Sequence, residues 1–220
     1  LYDWCKRSTT SIGLTILVDT AASLRDHVLA SPRAEKRRII CIAGAPASGK
    51  STLALHLAQS LCTAGCKTQV VPLDGFHLDN NILVTRGVLP RKGSVDTFDA
   101  NGMLSLVRRI GSEDDVYFPE FDRARDISIA CAAQIENDCD TIIVEGNYLL
   151  LDAPVWRELA VHWDLSIGLK VPEPILLDRL VRRWQNQGLS LAVARRRAKE
   201  NDLKNARVVI KKTCNADIWV

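Results

Sequence analysis

Residues Gly44–Thr52 read Gly-Ala-Pro-Ala-Ser-Gly-Lys-Ser-Thr and satisfy the phosphate-binding pattern G-x-x-x-x-G-K-[ST] at every position. The pattern constrains the fold because it works only between a buried strand and the first turn of a helix. Both flanks meet that demand. Arg38-Ile-Ile-Cys-Ile-Ala43 is a short apolar run suited to a parallel strand covered on both faces. Beyond the loop, Leu53, Leu57 and Leu61 recur at helical spacing. Gly44 and Gly49 let the backbone wrap a polyphosphate, and the helix start adds inward N–H groups and partial positive charge. Gly44, Ala45, Pro46, Ala47, Ser48, Gly49, Lys50, Ser51 and Thr52 are therefore expected to cradle a nucleoside triphosphate. Lys50 would reach its β- and γ-phosphates, and the Ser51 hydroxyl would ligate Mg²⁺. ATP and Mg²⁺ are the expected cofactors.

Two hundred and twenty residues can bury a proper core. A net charge of +3 is too small to argue for nucleic acid, and the clusters Lys36–Arg38, Arg195–Arg197 and Lys211–Lys212 read as solvated flanks. The seven cysteines form no C-x-x-C pair, which points to reduced thiols and no zinc site. Lys6 and Arg7 precede the apolar run Ile12–Val18, but that run is short and ends at Asp19. Residues 1–35 read instead as a leader, helical from about Ile16 to Ala30, and 36–220 as one kinase-type domain with a lid around 173–207. No stretch is long enough to span a bilayer. The expectation is a cytoplasmic protein whose partner is a small-molecule substrate, without nucleic acid or membrane; a homodimer stays open.

Further strands are expected at Lys67–Asp74, Thr141–Glu145, Leu165–Val171 and Ala216–Val220, with a side element at Val116–Phe121 and Ile127–Ile135. Gly75 to about Asp96 reads as irregular, Asp99 as the cap of a helix to Gly111, and 173–187 and 190–207 as helices. Strands alternating with helices imply an α/β fold with a doubly wound, mostly parallel sheet. Ligands of such sheets bind at the strand C-termini. Asp74 and Glu145 each close an apolar run, so one carboxylate suits the metal and one the acceptor hydroxyl. In the helix from Glu173, Arg179, Arg182 and Arg183 share the face opposite Leu177, Leu180, Val181 and Trp184. They are either phosphate-neutralising groups, with Arg179 and Arg183 the catalytic candidates beside Lys50 and Asp74, or a solvated face.

The set Gly44–Thr52, Leu73-Asp-Gly-Phe-His77, Arg91-Lys-Gly93, Tyr117-Phe-Pro-Glu-Phe-Asp-Arg123, Glu145-Gly-Asn-Tyr148 and Asn201–Arg207 resembles the uridine kinase, phosphoribulokinase and pantothenate kinase superfamily. Within it the chain is similar to bacterial proteins labelled nucleoside/nucleotide kinase or fructose-transport-system kinase. The resemblance implies a five-stranded P-loop core with the strand ending at Glu145 beside the loop strand. It implies Asp74 as the base at the acceptor hydroxyl, Glu145 as the metal's second support, and basic lid residues over the phosphates. It also places Arg91, Lys92, Tyr117, Arg123, Asn147, Tyr148 and Asn205 near the acceptor or lid, while His77 reads either as a substrate contact or as a ring packed beside Phe76. Val95 and Asp96 stand where pantothenate kinases usually carry proline and glutamate, so the acceptor's identity does not carry over. A sugar such as fructose or a nucleoside is the favoured acceptor, with a pantothenate-type kinase or a nucleotide-dependent switch as alternatives. Asp99-Ala-Asn-Gly102 fits the D-x-x-G switch pattern but reads as a helix start, and no guanine-reading Asn-Lys-x-Asp occurs.

Overall fold

The computed structural model describes residues 11–220, so the basic pair Lys6 and Arg7 lies outside the described residues. Five strands form one parallel sheet: β1 (Arg38–Gly44), β2 (Thr68–Pro72), β5 (Thr141–Gly146), β6 (Leu165–Leu169) and β7 (Ile218–Trp219), in the order β2-β5-β1-β6-β7. β3 (Val116–Asp122) and β4 (Ile127–Ile135) form a separate antiparallel hairpin. The helices are α1 (Ser11–Ala30), α2 (Lys50–Thr63), α3 (Asn80–Thr85), α4 (Ala100–Ser112), α5 (Glu173–Asn186), α6 (Leu191–Arg197) and α7 (Leu203–Lys212).

The strands read as unbroken apolar runs because both sheet faces are covered. Alternate residues serve opposite layers. Ile39, Cys41, Ala43, Ile142 and Val144 pack with α4, the hairpin and the 3₁₀ segment Trp156–His162. Ile40, Ile42, Ile143 and Ile167 pack with Leu53, Leu57 and Leu61 of α2 and with Ala21, Leu24 and Val28 of α1. A third cluster joins Ala45 of the phosphate loop to Leu176, Leu180, Ala194, Leu203 and Ala206 of the α5–α7 layer. The sheet order reverses direction at β1, so the loop after β1 opens at the topological switch point.

Three elements differ from the sequence reading. The second strand stops at Pro72, and Asp74 sits in a following 3₁₀ turn, Leu73–Phe76, instead of ending the strand. The segment read as irregular contains α3, started by the Asp79 side chain accepting from the Asn81 N–H. The last helical stretch runs on to Lys212 through a π-helical turn, Ala198–Asp202. Asp99 does cap α4, its carboxylate accepting from the Gly102 N–H, so this aspartate is spent on a helix start and not on a nucleotide switch.

The hairpin is tied at both ends. At its open end, the fully buried Arg37 donates to the carbonyl oxygens of Ile110 (2.9 Å), Glu113 (2.7 Å), Asp114 and Glu136 (3.2 Å). Towards its tip, the Pro119 carbonyl lies so close to Gly75 that any Cβ there would collide with it. That contact seats the hairpin against the turn carrying Asp74.

Candidate active site

The phosphate loop leaves its donors open. Gly49 is the N-cap of α2 at φ 103°, a left-handed conformation that glycine adopts without strain, and no side chain caps the helix. The first helical N–H groups, from Lys50 to Thr52, thus face the loop's concavity without intrahelical acceptors. Ser48 N–H is used inside the loop, donating to the Ala45 carbonyl at 3.0 Å.

Strand register sets the first carboxylate. Glu145 lies between Ile42 of β1 and Pro72 of β2, directly beneath the loop. The Ser51 hydroxyl donates to its Oε1 at 2.8 Å, and Lys50 Nζ stands 4.0 Å from its Oε2. Oε2 is buried and accepts no hydrogen bond. Burial pushes this carboxyl above the usual range, against the pull of Lys50. Glu145 thus keeps one buried carboxylate oxygen without a hydrogen-bond donor, beside a hydroxyl and an ammonium.

The second carboxylate, Asp74, lies within electrostatic reach of this group. Arg123, at the hairpin tip, donates to Asp74 Oδ2 at 2.5 Å. Burial pushes Asp74 up, but Arg123, then Lys50, His77 and Arg183, outweigh it and hold the carboxyl below its ordinary value. Asp74 is therefore ionised at neutral pH. The influence of Lys50 on both Asp74 and Glu145 brings the two carboxylates into one electrostatic site.

The remaining candidates divide. Arg179 reaches the loop from outside, its Nη1 donating to the carbonyls of Ala47 (3.2 Å) and Ser48 (3.0 Å). Arg183, one turn on, acts on Asp74 and on Asp202. Arg182 pairs with Asp178 on the exposed face. His77 lies beside Asp74, with Nδ1 2.8 Å from the Asp74 carbonyl oxygen. Lys92 is engaged by Asn80 (2.7 Å) and Asp126 (3.1 Å), and Arg91 is exposed near Asp96. The Tyr148 ring is buried, and its hydroxyl donates to the Gly93 carbonyl at 2.7 Å, holding the loop after Lys92. Asn201 supports the same loop by donating to the Lys92 carbonyl at 3.1 Å. Asn147 follows Glu145 closely and keeps a buried, unpaired Oδ1.

Tyr117 is not brought to this group. It is 50% exposed near the hairpin's open end, whereas Arg123 is at the tip. Six residues of strand separate them by about 20 Å. Asp122 is spent on the tip itself, accepting from the N–H groups of Ala124 and Arg125 and from the Arg125 side chain. The sequence reading missed Ser128, whose hydroxyl donates to the His77 carbonyl at 3.0 Å. Nothing in a short β4 serine signals that role before the hairpin is paired.

Residues 40–202 match the family described as "AAA domain". The chain is similar to a protein of Schizosaccharomyces pombe named "Putative uridine kinase C227.14", with 33% identity over 195 residues covering 84% of this chain and 83% of that protein. It is also similar to Escherichia coli "Uncharacterized protein YggC", with 32% identity over 200 residues covering 88% and 83% of the two chains. Among solved structures, a "putative fructose transport system kinase" from Silicibacter sp. TM1040 superposes with a TM-score of 0.88 at 48% identity, covering 91% of this chain and 98% of that one. Loop, sheet order and relatives agree: the chain belongs to this P-loop family, as a member of the uridine kinase, phosphoribulokinase and pantothenate kinase superfamily.

Proposed function

We propose that this protein is an ATP- and Mg²⁺-dependent phosphotransferase that moves the γ-phosphoryl group to a hydroxyl of a small molecule, a sugar such as fructose or a nucleoside. The observation that carries the reading is the presence of two carboxylates in different surroundings within one electrostatic site. Glu145 is buried under the loop and bonded to Ser51, while Asp74 is ionised and held by Arg123. Lys50 and the open amides of the loop bind the triphosphate. Ser51 and Glu145 are the residues that would hold Mg²⁺, a reading the unpaired buried Oε2 supports. The ion, when bound, supplies neutralising charge to the phosphate oxygens.

Asp74 accepts the hydrogen of the acceptor hydroxyl and aims its oxygen at the γ-phosphorus. A new O–P bond forms, the bond from the γ-phosphorus to the β–γ bridging oxygen breaks, and ADP leaves. The hydroxyl proton passes to Asp74 and on to solvent. Because cations hold Asp74 below its ordinary pKa, it is a weak base, and its main contribution is orientation before the proton moves. Arg183, whose charge reaches Asp74, offsets charge on the transferring group in this reading, while Arg179 fixes the loop backbone. ADP release measured with and without sugars, nucleosides and pantothenate tests the reading. Acceptor-stimulated release supports it, and release indifferent to every acceptor overturns it.

A further inference from the structure

The acceptor side of the cleft holds a second polar atom whose chemistry its neighbours dictate. His77 Nδ1 lies 2.8 Å from the Asp74 carbonyl oxygen, and a carbonyl oxygen only accepts, so Nδ1 carries the hydrogen. The ring is pinned there. It lies 4.1 Å from the Phe98 ring and 4.8 Å from the Phe121 ring, centroid to centroid, while Ser128 holds its backbone carbonyl. Burial, helped by Lys92 and Arg123, lowers its pKa despite the neighbouring Asp74, so the neutral ring presents Nε2 as a lone-pair acceptor. No described residue donates to that nitrogen. Asp74 and His77 are three residues apart across a 3₁₀ turn, where side chains at i and i+3 eclipse, so they project to the same side.

The turn thus carries two hydrogen acceptors, the Asp74 carboxylate and His77 Nε2. The two cations whose charge reaches His77 are committed: Arg123 to Asp74, and Lys92 to Asn80 and Asp126. We infer that the acceptor is a neutral polyol read through two hydroxyls, the reacting one donating to the Asp74 carboxylate and a second donating to His77 Nε2. The inference rests on the kinase reading and narrows it. A hydroxy acid would set its own carboxylate against two groups that offer no hydrogen, and would have to compete with Asp74 for Arg123.

The test separates a metabolite extract on an anion exchanger and incubates the neutral and acidic fractions separately with the full chain, Mg²⁺ and ATP. Mass spectrometry then seeks products that have gained one phosphoryl group. A product from the neutral fraction carrying at least two hydroxyls in its unphosphorylated form is the expected result. A product that forms from the acidic fraction alone, or a monohydroxyl acceptor, overturns the inference and leaves the kinase reading standing. No product from either fraction overturns both. With the polyol in hand, His77→Phe should raise its KM about tenfold and leave the KM for ATP unchanged, the loss of one hydrogen bond. His77→Gln, which keeps an acceptor oxygen, should recover part of that loss. An unchanged KM in the folded His77→Phe protein removes His77 from recognition.

Discussion

Arg123 Nη2 and Asp74 Oδ2 meet at 2.5 Å although 49 residues separate them in the chain. The contact crosses from the tip of the β3–β4 hairpin to the 3₁₀ turn after β2. It occupies one carboxylate oxygen and leaves Oδ1 without a hydrogen bond among the described residues. Asp74 is only 26% exposed at its side chain, so this pairing is only partly screened by water.

Replacing Asp74 by Asn keeps the shape of the side chain and removes its charge. Turnover should fall by about 10² or more, the loss expected when the group that orients the hydroxyl and takes its proton is removed, while ATP still binds. Steady-state rates alongside calorimetric nucleotide titration check this. Unchanged turnover would remove Asp74 from the mechanism.

Arg123→Gln should change the pH profile. In the native protein cations outweigh burial and depress the Asp74 pKa, so the active ionised form persists down to a pH below the ordinary aspartate value. Without Arg123, burial regains influence and the pKa rises. The acidic limb of kcat/KM should then move to higher pH, with activity in the alkaline direction least affected. A limb that stays in place would show that Arg123 does not tune Asp74.

Glu145→Gln preserves an oxygen for the Ser51 hydroxyl and deletes the charge. The expected outcome is a higher Mg²⁺ requirement, with turnover about 10²-fold lower at limiting metal, because an electrostatic support at the phosphates is lost. Activity titrated against Mg²⁺ at fixed ATP measures it. A variant with an unaltered metal requirement would count against Glu145 as a metal residue.

Arg37 bears on stability instead of chemistry. Its guanidinium serves four backbone carbonyls where α4, β3 and β4 converge. Arg37→Met would leave those acceptors without their donor, at a cost of about 3 kcal/mol or more. For a chain of this size that corresponds to a Tm lower by roughly 6–12 °C. Calorimetric melting decides it, and a Tm within a degree or two of the parent would refute the clasp.

The nucleotide half of the site was legible along the chain because it is local. Loop, preceding strand and following helix are contiguous from Arg38 to Thr63, and their patterning needs no distant partner. Glu145 was legible as an acid closing an apolar run, since parallel strands present their C-termini together. The acceptor half was not. Tyr117 and Arg123 sit in one short motif, yet the extended hairpin carries only Arg123 to Asp74. Lys92 looked like a substrate cation until Asn80 and Asp126 were seen to occupy it.

By itself, then, the amino-acid order determined that this protein builds a P-loop α/β core, because periodicity and glycine placement act over a few residues. The tertiary structure alone decided which charges are cancelled against neighbours, and that the His77 ring spends Nδ1 on the Asp74 carbonyl. Such outcomes depend on pairings between residues dozens of positions apart, and a side chain's partner, not its type, sets the charge and hydrogen it has left to offer.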